Sequence, residues 1–196
     1  MLNKKYLPNT LSIIRIFITP IIIINFYLSS YLDDIVMTYR INGILFFIAS
    51  ITDFLDGYIA RNFDMESNSG RILDPIADKI LVSSILIMLV KFNKAHEIPC
   101  ILILARELTM SGIREAMADH KIQIPVSGLA KMKTFLQMIA ILALLIGSKG
   151  SNIPQLDTWG NYLLWIAAIL TIVTSIHYLF FVVDALNSQK SDSHGI

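Results

Sequence analysis

The sequence has little charge and almost no cysteine, and each shortage removes a class of protein. Lysine, arginine, aspartate and glutamate make up 16% of the 196 residues, whereas soluble domains average about 25%. The single cysteine, Cys100, cannot form an internal disulfide, so a disulfide-stabilised fold is excluded. A net charge of +1 provides no broadly basic surface, and we therefore expect no nucleic-acid partner.

What the sequence has instead is apolar residues, which form 55% of the chain. They cluster in six stretches, each close to the roughly 20 residues that a membrane-spanning helix needs. The stretches are residues 10–28, 41–60, 72–90, 98–118, 135–147 with its flanks, and 162–186. No segment remains for a soluble domain. We therefore expect an all-α membrane protein with six transmembrane helices, forming a single domain over residues 1–196.

The distribution of basic residues predicts the orientation of these helices. With both termini in the cytoplasm, the cytoplasmic segments hold Lys4, Lys5, Arg61, Arg71, Arg114, Lys121, Lys131, Lys133 and Lys190, and the outer loops hold Arg40, Lys91, Lys94 and Lys149. Because basic residues concentrate on the cytoplasmic side of membrane proteins, this arrangement is favoured. The loops after the second and fourth helices then face the cytoplasm.

Four aspartates lie where the hydropathy otherwise predicts membrane helix: Asp53, Asp56, Asp74 and Asp78. A charged carboxylate at that depth costs about 2.5 kcal/mol or more, so cations must compensate for them. The first pair is three residues apart and the second is four, so each pair shares one face of its helix. A short loop makes the two helices antiparallel neighbours, and the four carboxylates can converge on one pocket.

This acidic pocket has the composition of a metal site for a diphosphate. Carboxylates without histidine or cysteine suit Mg²⁺ or Mn²⁺, and two such ions can neutralise phosphate oxygens. Gly57, Ala60 and Gly70 leave room for a ligand, and the Arg61 guanidinium can hold a phosphate oxygen. A carboxylate without tight metal ligation could take a proton from an attacking hydroxyl. The alternative is that the aspartates only form salt bridges across the helix hairpin.

The segment resembles the signature of the CDP-alcohol phosphotransferase family, D-x-x-D-G-x-x-A-R-x8-G-x-x-x-D-x-x-x-D. It is matched by Asp53, Asp56, Gly57, Ala60, Arg61, Gly70, Asp74 and Asp78. The resemblance implies a six-helix membrane fold, a homodimer, a CDP-linked donor and CMP as by-product. It also implies that the first three aspartates are mainly metal ligands and that Asp78 is the general base, with a further contact to a metal.

Three further segments resemble the bacterial phosphatidylglycerophosphate synthase branch of that family. They are P-N-T-L-S-I-I-R from Pro8, A-R-E-L-T-M-S-G-I-R-E from Ala105 and V-S-G-L-A-K-M-K-T from Val126. The chain departs from the branch at Ser12, where threonine is usual, and at Ala130, where glycine is common. This resemblance implies CDP-diacylglycerol as donor, glycerol 3-phosphate as acceptor, and a bacterial inner-membrane enzyme whose active site faces the cytoplasm.

Four basic residues are candidate ligands of the acceptor phosphate: Arg106, Arg114, Lys131 and Lys133. The two arginines are eight residues apart, about two helical turns, and so share a helix face. Ordinary anchoring at the membrane surface is the alternative for the two lysines. Glu107 is expected to pair with a neighbouring arginine rather than to bind metal.

Two other functions remain open at this stage. A sister enzyme would use the same donor with serine, inositol phosphate or phosphatidylglycerol as acceptor. A divalent-cation transporter would need acidic or polar residues continuing towards the outer face, yet residues 43–50 and 81–90 are almost wholly apolar. The acids end on the cytoplasmic side, which favours the enzyme.

Overall fold

A computed structural model describes residues 7–29, 31, 34–63, 68–119 and 128–193, in which the chain forms helices and short turns without a strand. Side chains are described at residues 12–29, 31, 34–52, 73–118 and 128–186. The helices are α1 (Leu7–Leu28), α2 (Ile35–Phe63), α3 (Asn68–Lys91), α4 (Glu97–Asp119), α5 (Gly128–Ser151) and α6 (Leu156–Ser193). The predicted all-α fold is confirmed, and each helix contains one of the predicted apolar stretches.

Three of these helices are long and apolar enough to cross a membrane: α2 through Ile35–Thr52, α5 through Gly128–Ser151 and α6 through Leu156–Leu186. α1 contains a shorter apolar stretch, Ser12–Leu28. Large apolar side chains such as Phe17, Phe135 and Phe180 are about two-thirds exposed, at 66%, 65% and 67%. Apolar surface of this kind is stable against lipid, and the chain is a membrane protein.

The described residues pack as two compact units. The first contains α1, α2, α3 and Met138–Asn161, with α1 packed against both α2 and α3. Its core includes Phe26, Phe46 and Ile85, which are at most 1% exposed. The second unit contains α4, the beginning of α5 and α6 from Tyr162 onward. Ile103 and Ala168 are fully buried in it.

Helix α5 is interrupted at Gly147, where φ is 62° and ψ is 176°. The interruption frees the carbonyls of Leu144 and Leu145, and the Lys94 ammonium donates to both, at 3.0 and 3.2 Å. The Asp157 carboxylate accepts a hydrogen bond from the next backbone N–H, at 2.7 Å. A Cβ atom on residue 147 would lie 2.6 Å from that carboxylate, so glycine is required for both its φ and its size.

Candidate functional site

The first half of the predicted acidic site lies on the last part of α2. Residues 53 to 61 belong to one continuous helix that ends at Phe63, as the spacing of the aspartates requires. The side chains of Asp53, Asp56, Gly57, Ala60, Arg61 and Gly70 lie outside the described residues. Their roles in metal and diphosphate binding therefore stay predictions.

The second half lies on α3, where Asp74 and Asp78 are both half-buried and four residues apart. This spacing places their side chains on one helix face. The hydroxyl of Ser12, a fully buried residue of α1, donates a hydrogen bond to Asp74 Oδ1. A buried hydroxyl that bonds one carboxylate oxygen fixes the orientation of the carboxylate and leaves the other oxygen for a ligand.

The donor set on α3 fits a hard cation. Asp74 and Asp78 offer only oxygen ligands, which Mg²⁺ and Mn²⁺ prefer. Among the residues described, no group of three or more histidine, cysteine, aspartate or glutamate side chains lies close enough to hold a metal ion. Two of the four predicted aspartates lie outside that part of the chain, so the four-carboxylate cluster stays a prediction.

Arg15 lies one turn after Ser12 on α1 and is fully buried. An arginine that extends its guanidinium to the membrane surface would be exposed at its charged end. Extension of Arg15 to the membrane surface is therefore excluded.

In the second unit, Glu107 joins two of the four predicted acceptor-phosphate ligands. Its Oε1 atom accepts hydrogen bonds from Lys133 Nζ at 2.5 Å and from Arg106 Nη1 at 3.0 Å. Arg106 Nε also donates to Ser175 Oγ on α6, at 3.1 Å. The side chains of Lys133, Arg106 and Glu107 are 3%, 13% and 31% exposed. The predicted pairing of Glu107 with a neighbouring arginine is confirmed, and these three residues form what we name the cation cluster.

The other two predicted ligands, Arg114 and Lys131, have exposed side chains. The four basic residues therefore fall into an exposed pair and a pair with little exposure, in which Lys133 is buried and Arg106 is partly buried. Anchoring at the membrane surface is wrong for Lys133, because its residue is only 2% exposed and its ammonium pairs with Glu107. For Lys131 the anchoring interpretation stays open.

Next to the cation cluster are polar residues that the sequence analysis did not select. Gln137 lies one turn after Lys133 on α5, and Thr171 lies one turn before Ser175 on α6. Both are buried, at 3% and 0% exposure. A polar side chain repeated at helical spacing within an apolar stretch is the signal that could have identified them.

Comparison with known proteins agrees with the family that the aspartate signature of residues 53–78 predicts. The sequence profile of CDP-alcohol phosphatidyltransferases matches residues 5–173. A Rickettsia felis protein is 51% identical over 174 residues, which cover 89% of this chain and 93% of the relative. A Bacillus subtilis protein is 35% identical over 191 residues, which cover 94% of this chain and 98% of the relative. Both are named CDP-diacylglycerol–glycerol-3-phosphate 3-phosphatidyltransferase. The family predicted from the sequence is confirmed: the chain belongs to the CDP-alcohol phosphatidyltransferase family.

Proposed function

We propose that the protein transfers the phosphatidyl group of CDP-diacylglycerol to sn-glycerol 3-phosphate, giving phosphatidylglycerophosphate and CMP. The observation that carries the proposal is the 51% identity, over 89% of the chain, to a relative whose name states this reaction. The cation cluster supports a phosphorylated acceptor, because Arg106 and Lys133 are suited to bind phosphate oxygens. Serine as acceptor has no phosphate for these cations to bind.

The donor site uses the aspartates of α2 and α3. Asp53, Asp56, Asp74 and Asp78 would hold two Mg²⁺ or Mn²⁺ ions. Such ions supply charge neutralisation of the diphosphate and stabilisation of the departing CMP. The Ser12 hydroxyl keeps Asp74 oriented for this role.

The remaining signature residues assist the donor. Arg61 binds a diphosphate oxygen, and Gly57, Ala60 and Gly70 leave space for the nucleotide. Asp78 accepts the proton of the glycerol 3-phosphate hydroxyl as its oxygen bonds to the phosphorus that carries diacylglycerol. The bond from that phosphorus to the CMP oxygen breaks in the same reaction.

The acceptor is held by basic residues of the second unit. Glu107 orients the buried Lys133 and the partly buried Arg106, so they bind the acceptor phosphate with little loss of side-chain entropy. Arg114 and Lys131 are exposed and add positive charge that attracts the dianionic acceptor.

The proposed setting is the inner membrane of a bacterium. The chain forms one domain over residues 1–196, crosses the membrane six times with both termini in the cytoplasm, and is surrounded by membrane lipids. Two copies form a homodimer, and the active site of each faces the cytoplasm.

The experiment that tests this function is CMP release by the purified protein in detergent, with CDP-diacylglycerol and Mg²⁺ or Mn²⁺. We expect release that requires both the metal and glycerol 3-phosphate. Release only with serine, inositol phosphate or phosphatidylglycerol would assign a sister enzyme. No release with any acceptor from folded protein would contradict the enzyme and favour the divalent-cation transporter.

A further inference from the structure

Three buried side-chain atoms of the second unit have no hydrogen-bond partner within the described part of the chain: Gln137 Oε1, Thr171 Oγ1 and Tyr178 Oη. The first two belong to residues that are buried as a whole, at 3% and 0% exposure. A buried polar atom without a hydrogen bond costs roughly 1–3 kcal/mol, so such atoms usually meet a ligand or an ordered water. Both atoms therefore indicate a missing polar partner.

Gln137 and Thr171 each lie one helical turn from a residue that contacts the cation cluster or belongs to it. Lys133 of α5 contacts Glu107, and Ser175 of α6 contacts Arg106, so neighbouring residues of α4 reach both helices. Gln137 follows Lys133 by four residues and Thr171 precedes Ser175 by four. Only residues 152–155 join α5 and α6. Because helices with so short a connection are expected to run in opposite directions, both steps then lead towards that connection.

The chemistry of the two atoms favours a neutral hydroxyl. The carbonyl oxygen Gln137 Oε1 can only accept a hydrogen bond, so it repels a phosphate oxygen, whereas the Thr171 hydroxyl can donate or accept. A ligand hydroxyl that donates to Gln137 and accepts from Thr171 would satisfy both. One helical turn separates these residues from the cations, about 5.4 Å along the axis. A three-carbon polyol phosphate spans a similar distance.

We propose that Gln137 and Thr171 form a subsite for a non-reacting hydroxyl of a small polyol phosphate, whose phosphate lies on Arg106 and Lys133. The inference rests on the proposed function and deepens it by assigning acceptor specificity to named residues. For glycerol 3-phosphate, the hydroxyl in this subsite is the secondary one, and the primary hydroxyl stays free to react.

The test compares two acceptors that differ only at that hydroxyl. Glycerol 3-phosphate has it, and 1,3-propanediol monophosphate lacks it but keeps the primary hydroxyl and the phosphate. We expect the full-length wild type to prefer glycerol 3-phosphate by about fivefold or more in kcat/KM, the effect of one lost hydrogen bond to a buried group. The isosteric Thr171→Val variant should reduce this preference to about twofold or less, and Gln137→Met should do the same.

Thr174→Val is the matched control on the same helix. The Thr174 hydroxyl donates to the carbonyls of Leu170 and Thr171, at 2.8 and 3.0 Å, so its hydrogen bonds stay within α6. This variant should keep the wild-type preference between the two acceptors. Loss of the preference in Thr174→Val as well would attribute the effect to α6 packing and overturn the subsite.

Other outcomes distinguish a failure of the subsite proposal from a failure of the proposed function. Equal kcat/KM for the two acceptors in wild type would overturn the subsite and leave the function standing. An unchanged preference in Thr171→Val, together with a higher melting temperature, would identify the hydroxyl as an unsatisfied core group and overturn the subsite. No CMP release with either acceptor would contradict the function, and the subsite with it.

Discussion

The two units hold their charged side chains in different ways. In the first unit, the Asp74 carboxylate is bonded by the neutral hydroxyl of Ser12, which orients it without cancelling its charge. In the second, Arg106 and Lys133 both donate to one oxygen of Glu107, so one carboxylate orients two cations. Each arrangement orients charged groups, as the proposed metal site of the first unit and the proposed phosphate site of the second require.

The largest effect should come from removing the proposed general base. Asp78→Asn keeps the size of the side chain but cannot accept the proton of the acceptor hydroxyl, so we expect CMP release to fall by roughly 10²–10⁴-fold. The melting temperature should change little, which shows that the variant is folded. Asp34→Asn is the control, since Asp34 is exposed, caps α2 through the Met37 N–H at 3.0 Å, and asparagine caps equally well. Retained activity in Asp78→Asn would refute the base assignment.

A smaller effect should follow from removing the hydrogen bond that orients the Asp74 carboxylate. In Ser12→Ala the carboxylate loses the hydroxyl that orients it, and we expect activity to fall by about 10-fold or more, with a higher Mg²⁺ concentration needed for half-maximal rate. Ser12→Thr keeps the hydroxyl and should stay close to wild type. If Ser12→Ala showed the wild-type Mg²⁺ dependence, Ser12 would be a packing residue only.

In the second unit, the corresponding change is Glu107→Gln. Without the carboxylate, the buried ammonium of Lys133 and the guanidinium of Arg106 both lose their ion pair with Glu107. We expect the KM for glycerol 3-phosphate to rise by about 5- to 10-fold, whereas kcat and the KM for CDP-diacylglycerol stay near wild type. Glu115→Gln is the matched control on α4, since Glu115 is exposed. A lower KM in Glu107→Gln would mean that Glu107 competes with the phosphate.

The sequence predicted the helices and the positions of the aspartates because both depend on local pattern. Apolar stretches of membrane length predicted α1 to α6, but the interruption of α5 at Gly147, within the fifth stretch and its flanks, was not predicted. The Ser12 to Asp74 contact was not predicted, because it joins residues 62 positions apart. Likewise, Lys131 and Lys133 both lie in the first two turns of α5, and only the packing of α4 and α5 decides which of them is buried.

The smallest effect concerns Lys94, a cation of the first unit that is held mainly by carbonyl oxygens. Burial lowers the pKa of the Lys94 ammonium from 10.5 to about 8, and the nearby charge of Lys149 lowers it further while Asp157 opposes the shift. A pKa below the unfolded value means that the folded state binds the proton more weakly. The cost of burying the charge is fully present below pH 8 and is relieved as pH rises from about 8 to 10.5.

The direction of this change in stability with pH can be measured by comparing the wild type with Lys94→Met, which has no titrating group at this position. Between pH 7.5 and 10, the melting temperature of the wild type should rise relative to that of the variant by roughly 5 °C or more, because only the wild type is relieved of a buried charge. The variant lacks the hydrogen bonds to Leu144 and Leu145 at both pH values. Their loss therefore lowers its melting temperature equally at both and does not change how the melting temperature depends on pH. Parallel pH profiles would show that the carbonyls of the interrupted helix stabilise the ammonium fully. In that case the ammonium of Lys94 would resemble the cations of the cation cluster, because its polar neighbours would offset the cost of burying its charge.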